Sequence, residues 1–307
     1  MKKYYLFMML FYSSFFAFAI NKTPDIIPLP SKITMKEGNF LINNKTNIVV
    51  EDQLTGIIDV ADLFLNQLKT LAATSTEIHQ FEKGEKYNQT ILLKTMGNLS
   101  DSLGEEGYIL DINPNNLSIL ASTPKGIFYG IQTLWQLFPS KATTVQAVKT
   151  YAIPALTIVD KPRFKWRGML LDCCRHFMPK ETILKYIDLL AFYKMNRLHW
   201  HLTEDQAWRI EIKQYPNLTN IGSKRIEEDG SEYKGFYSQV EVKEIVEYAA
   251  KRNISIVPEI EMPGHSIAAI ASYPFLSCTQ QPIKTETNWG VFKDVYCAGN
   301  DSVFQFL

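Results

Sequence analysis

The stretch His199-Trp200-His201-Leu202-Thr203-Glu204-Asp205-Gln206 decides how the rest of the chain is read. It begins as an apolar, β-prone run and ends in a knot of carboxylate and imidazole side chains. Two other stretches are built the same way: Leu171-Asp172-Cys173-Cys174-Arg175-His176 before it, and Pro258-Glu259-Ile260-Glu261-Met262-Pro263-Gly264-His265 after it. A helical pattern separates each from the next. In the first interval Met178-Pro179 opens a helix, and Ile183, Leu184, Ile187, Leu190 and Ala191 recur at helical spacing. In the second, Ser238-Gln239-Val240-Glu241 is a capping box ahead of an apolar stripe of Val242, Ile245, Val246 and Ala249. Strand, polar tip and helix in repetition predict a parallel (β/α) barrel that assembles its site at the carboxyl rim. The three strands are read at Gly168–Leu171, as a buried strand, and at Arg197–Leu202 and Ile254–Ile260.

A complete barrel of this kind takes roughly 250 residues. The stretch from Arg163 to Leu307 has room for three to four βα units, the last beginning at Asp301–Leu307, so the sequence reads as the amino-terminal part of a longer protein. Residues 21–155 read as a small α/β accessory domain that precedes the partial barrel of residues 160–307. In it, Asn47–Val50, Thr90–Leu93, Glu106–Asp111 and Leu117–Leu120 look like strands, with Asn113-Pro114-Asn115 turning between the last two. Ile57–Leu71 and Lys125–Leu137 have helical periodicity. Pro154 to Pro162 reads as a connector. The domain carries no cluster of catalytic residue types.

The chain has 307 residues, with 32 Lys plus Arg against 32 Asp plus Glu, so its formal net charge is zero. Nothing in that balance calls for nucleic acid as a partner. Lys2 and Lys3 followed by apolar Tyr4–Ile20, with Ala17-Phe18-Ala19 as a small-x-small site, predict a signal peptide over residues 1–19, the competing reading being a membrane anchor, for which the run is short. The expectation is an exported protein, periplasmic or extracellular (lysosomal in a eukaryote), without a membrane span once the leader is cut. Export permits disulfides. Adjacent Cys173 and Cys174 read as buried thiols, because a bridge between neighbours would be strained. Cys278 and Cys297 flank a loop-like stretch; from spacing alone they are either a staple or two thiols.

At the three tips, His199 and His201 lie two apart on a strand and share a side. With His265 they make one possible metal set, and a polar barrel interior is the alternative. Trp200 and Trp208 beside Glu204 and Asp205 would suit a sugar cleft, although a core position is the commoner fate of a Trp. Arg175 can fork onto hydroxyls or pair with Asp172. Alternation in Glu259-Ile260-Glu261 puts both carboxylates on one side. His265, past the Pro263-Gly264 turn, can fold back onto Glu261 or Glu204.

Together, Arg167–Asp172 with Arg175-His176-Phe177, Asn196–Gln206 and Pro258–His265 resemble glycoside hydrolase family 20, the β-N-acetylhexosaminidases. Ile27-Pro28-Leu29-Pro30, Glu106-Gly107-Tyr108 and Gly126–Leu134 resemble that family's accessory domain. The resemblance covers essentially the whole mature chain. It implies a hydrolase of terminal β-linked N-acetylglucosamine or N-acetylgalactosamine, acting on such glycans or on chitooligosaccharides, with retention and with no metal or cofactor. The substrate's 2-acetamido oxygen is then the nucleophile. By matching position, Arg175 would grip ring hydroxyls and Asp205 would line the same sugar site. Glu204 stands where the family often has Asp, and would pair with His265 beside the scissile bond, with Glu261 behind. Cys278 and Cys297 fall where relatives carry a loop disulfide. One departure matters: the family's catalytic Asp-Glu pair sits in a Gly-x-Asp-Glu setting, and no such run occurs here. Its expected position lies beyond Leu307. The 307-residue chain alone is therefore expected to be inactive and poorly folded. A metal-dependent barrel hydrolase and a non-catalytic glycan-binding protein are the competing readings.

Overall fold

The computed structural model describes residues 23–51, 55–72, 76–83, 87–139, 143–145 and 148–307. The signal peptide expected over residues 1–19 lies outside these. The first domain runs β1 (Lys32–Ile42), β2 (Asn47–Glu51), α1 (Thr55–Ala72), β3 (Ile78–Gln80), β4 (Thr90–Thr95), α2 (Ser100–Leu103), β5 (Tyr108–Ile112), β6 (Asn116–Ala121), α3 (Pro124–Leu137), β7 (Thr143–Val145) and β8 (Val148–Asp160). Its mixed sheet is ordered β1-β8-β5-β6-β4-β2-β3, with β7 paired to β8. Apolar alternation sets one face against α1 and α3. Thr123 caps α3 from its side chain, and Pro124 takes the first turn, where a missing N–H costs nothing. A Cβ on Gly126 would sit 2.3 Å from the Gly107 carbonyl oxygen, so the helix reaches the sheet only with glycine there.

The connector predicted from Pro154 is instead strand. β8 continues through it to Asp160, pairing with β1 on one side and β5 on the other. Pro154 falls opposite Asn39, where the β1–β8 register slips between Met35 and Asn39. An irregularity of this kind is where a sheet tolerates a residue without an N–H.

The second domain follows with β9 (Gly168–Asp172), α4 (Lys180–Phe192), β10 (Arg197–His201), α5 (Asn217–Asn220), β11 (Lys224–Ile226), β12 (Glu232–Lys234), α6 (Gln239–Ala250), β13 (Ser255–Glu259), α7 (Ile267–Ser272) and α8 (Asp301–Phe306). The strands β9, β10 and β13 form a parallel sheet with β10 central, and α4 and α6 are its crossovers. The Ser238–Glu241 capping box is formed at the start of α6. Leu198 and Trp200 face the helices and are fully buried. β9 is less covered than a buried strand: Leu170 is 49% exposed while Leu171 is buried. Only the helix-facing side of this strand is packed.

A buried polar seam joins the domains. Lys194 Nζ lies 2.9 Å from Tyr108 Oη and 3.3 Å from Asp160 Oδ2. Beside it, Arg167 pairs with Glu106 at 2.8 Å, and Asn196 donates to Glu106 at 3.2 Å.

Candidate functional site

Parallel register places the three tips side by side. His201 stands opposite Asp172 on one flank and Glu259 on the other. These are the last residues of their strands, so the chain leaves the sheet there and polar loops converge.

Asp172 organises the first loop. Its Oδ1 accepts the backbone N–H groups of Cys174 (2.8 Å) and Arg175 (3.1 Å), and its Oδ2 lies 2.7 Å from Arg175 Nη1. The second nitrogen of that guanidinium reaches Glu204 Oε2 at 3.0 Å. Arg175 therefore forks between two carboxylates. Glu204 is 1% exposed. Its Oε1 lies 2.5 Å from His265 Nδ1, and its Oε2 lies 3.2 Å from His201 Nε2. His201 Nδ1 is 3.0 Å from Glu259 Oε2, and His199 Nε2 is 2.5 Å from the same oxygen. His265 holds a left-handed φ of 51°, a strained conformation for an L-residue, with Glu204 and Asp205 on its Nδ1 side. Several of these contacts are charge pairings rather than aligned hydrogen bonds. His201 Nε2, Glu204 Oε2 and Glu259 Oε2 are buried without a hydrogen-bond partner among the described residues.

The electrostatics follow from burial set against pairing. Burial pushes the Glu204 carboxyl up, but His201, the Asp205 backbone N–H, Arg175 and His265 outweigh it and hold the carboxyl low. Burial likewise opposes, and Arg175 with two backbone N–H groups reverses, the shift at Asp172, which also ends low. His201 is disfavoured as a cation by burial, yet Glu204 and Glu259 raise it. Asp205 is raised by burial and by the Glu204 charge, despite the Ile267 N–H donating to it at 3.1 Å. Glu261 is raised by burial and by its neighbour Glu259.

The structure thus brings Arg175, Glu204, Asp205, His265 and Glu261 to one rim. Asp205, expected to line the sugar site directly, is 3% exposed and engaged with the Ile267 N–H and His265. Its Oδ2 lies 3.4 Å from His265 Nδ1. The exposed members are Arg175 and His265, whose side chains are 42% and 47% accessible. Trp200 and Trp208 are buried and cannot be sugar platforms. Trp200 packs on Tyr237 at 4.7 Å between ring centres and donates to Cys173 Sγ at 3.3 Å. Cys173 and Cys174 are buried free thiols, raised by burial. Cys278 and Cys297 form a disulfide.

As for metal, among the described residues donor atoms gather within 4.8 Å in three groups: Asp172–Cys174–His201, His201–Glu259–Glu261 and Glu204–Asp205–His265. None joins His199, His201 and His265, because His265 is drawn to Glu204 while the other two share Glu259.

Sequence reasoning missed Arg209. It is fully buried and donates to four backbone carbonyls: Cys173 (3.0 Å), Cys174 (2.7 Å), Gly235 (2.7 Å) and Ser223 (3.1 Å). It ties the loop carrying Arg175 to the long excursion after β10. The available signal was a single cation between Trp208 and Ile210, in apolar surroundings.

Comparison with known proteins gives a consistent result. Residues 164–307 match "Glycosyl hydrolase family 20, catalytic domain", and residues 23–161 match "Glycosyl hydrolase family 20, domain 2". A "Beta-hexosaminidase" of Porphyromonas gingivalis is 44% identical over 94% of this chain and 36% of its own length. The structure of Streptomyces plicatus N-acetyl-beta-hexosaminidase in complex with Thio-NAglucal superposes with a TM-score of 0.80 at 34% identity, covering 92% of this chain and 54% of that one. An exo beta-N-acetylglucosaminidase of Vibrio harveyi in complex with N-acetylglucosamine gives 0.76 at 30% identity, covering 92% and 43%. The chain therefore spans about a third to a half of the relatives it matches.

Proposed function

The chain belongs to glycosyl hydrolase family 20, and from that premise we propose that the protein releases terminal, non-reducing, β-linked N-acetylhexosamine. The observation that carries this is the convergence of Arg175, Glu204 and His265 at the carboxyl rim. Relatives in complex with N-acetylglucosamine and with Thio-NAglucal support the substrate class. In this reading the Arg175 guanidinium, already oriented by Asp172, donates to ring hydroxyls. The buried Glu204 carboxylate fixes the His265 tautomer and stabilises its cation. Asp205 holds the same imidazole.

The sugar's own acetamido oxygen attacks the anomeric carbon, and the glycosidic oxygen leaves with its bonding electrons and a proton. No Gly-x-Asp-Glu run lies within the 307 residues to supply that proton. General acid assistance is worth about 10²–10⁴-fold, so the 307-residue chain by itself is assigned binding without appreciable turnover. The charged, apolar and small-residue order of residues 1–19 supports export of the protein.

The test is release of p-nitrophenol from p-nitrophenyl N-acetyl-β-glucosaminide by the gene product in full, with and without a chelator. Turnover that ignores the chelator is expected. Absence of turnover, or its loss on chelation, would overturn the reading.

A further inference from the structure

Residues 278–297 form a loop closed by the Cys278–Cys297 disulfide. It is laid along the rim by contacts from both sides. Thr285 Oγ1 donates to the Lys224 carbonyl (2.6 Å) and Thr287 Oγ1 to the Ile226 carbonyl (3.0 Å). The Glu286 N–H donates to the Asp205 carbonyl (3.1 Å), and Gln206 Nε2 donates to the Asn288 carbonyl (2.8 Å). At its far end the Tyr296 N–H donates to the Pro263 carbonyl, two residues before His265 (2.9 Å). The loop thus touches the residues that follow Glu204 and the turn that precedes His265.

At the crest of this pinned loop stands Trp289, 90% exposed, followed by Gly290 and a fully exposed Val291. An indole costs free energy when left in water, and Trp289 is the most exposed of the five: Trp200 and Trp208 are buried, Trp135 packs on Phe64 and Phe138, and Trp166, though 63% exposed, has Arg197 over its ring. An unpacked aromatic on a pinned loop beside a polar cluster is the kind of group that lines ligand sites. A pyranose offers an apolar C–H face for an aromatic ring and hydroxyls for its rim.

We propose that Trp289 is a platform for the sugar on the reducing side of the scissile bond, so that the protein prefers chitooligosaccharide-like chains over small aglycones. This rests on the function proposed above. Trp289 is a specificity-determining residue in it, and the disulfide, Gln206 and the Asp205 and Pro263 carbonyls hold the loop that carries it beside Glu204 and His265 in the chain.

Two arms test it on the gene product in full, with Trp289→Ala and Trp289→Phe. The first compares kcat/KM for N,N′,N″,N‴-tetraacetylchitotetraose with that for methyl N-acetyl-β-glucosaminide. The ratio is expected to fall about tenfold in Trp289→Ala, through KM, and to be largely restored in Trp289→Phe. The second needs no turnover: the affinity gained by N,N′-diacetylchitobiose over N-acetylglucosamine in wild type is expected to vanish in Trp289→Ala. An unchanged ratio together with a retained gain in affinity would overturn the platform while leaving the hydrolase reading intact. A wild-type protein that cleaves neither substrate defeats the hydrolase reading, and the second arm still decides the platform.

Discussion

The two ends of the three-stranded parallel sheet handle charge in opposite ways. At the amino-terminal end, Lys194 meets Asp160 and Arg167 meets Glu106. Each charge has its partner, Tyr108 and Asn196 fill remaining positions, and the result is a seam between domains. At the carboxyl end, Asp172, Glu204, Asp205, Glu259 and Glu261 surround Arg175 and three imidazoles. With neutral imidazoles the carboxylates there outnumber the cation, and among the described residues three buried atoms (His201 Nε2, Glu204 Oε2 and Glu259 Oε2) lack hydrogen bonds, against Glu106 Oε2 at the seam. Balanced burial holds a structure; unbalanced burial shifts pKa values and belongs to a working site. A cavity of about 1200 Å³ runs along the sheet from Glu106, Lys161 and Arg197 to Leu202, Ile210 and Pro258, so its position does not choose between the ends; the charged cluster does.

That contrast can be broken first at the seam. Lys194→Met leaves Asp160 buried without its cation. Breaking such a pair costs about 3–5 kcal/mol, and the thermal midpoint of unfolding should drop accordingly. A loss below about 1 kcal/mol, the worth of a surface pair, would show that the seam is not a buried lock.

A smaller effect sharpens the other end through pH. Asp172 and Glu204 are held below their ordinary values of 3.8 and 4.5, so their stabilisation is present above those values and is lost as pH falls through the lowered ones. His201 is raised above 6.5, so its contribution is complete below that value and fades as pH rises through the raised one. The three overlap between about pH 4.5 and 6.5, where the midpoint of urea unfolding should be highest. His201→Gln should flatten the fall on the alkaline side. A wild-type midpoint that keeps rising past neutral pH would contradict the assignment.

Much of this was legible in the sequence, for identifiable reasons. β10 and its polar tip are a local pattern, and parallel register does the rest by setting His201 level with Asp172 and Glu259. The Ser238–Glu241 box needs only its own four residues. What escaped depends on distant partners. Pro154 read as a break because its accommodation lies across the sheet, at an irregularity in β1. The burial of Trp200 follows from pleat direction and from Tyr237, thirty-seven residues away in sequence. The role of Arg209 is set by four carbonyls on three separate loops, none of them predictable from side-chain type. Asp205 and Glu204 are adjacent and both buried, and what distinguishes them lies in partners distant in sequence: Glu204 meets Arg175 and His201, while Asp205 accepts the Ile267 N–H.

The central claim is that Arg175, held by Asp172 and Glu204, is the grip on the sugar. Its direct measure is kcat/KM for p-nitrophenyl N-acetyl-β-glucosaminide in wild type and Arg175→Ala, both as the gene product in full. Losing a charged hydrogen-bond donor should lower it by about 10–150-fold, with KM rising and the fold retained by circular dichroism. A folded Arg175→Ala protein within about twofold of wild type, a difference of only about 0.4 kcal/mol, would contradict the account.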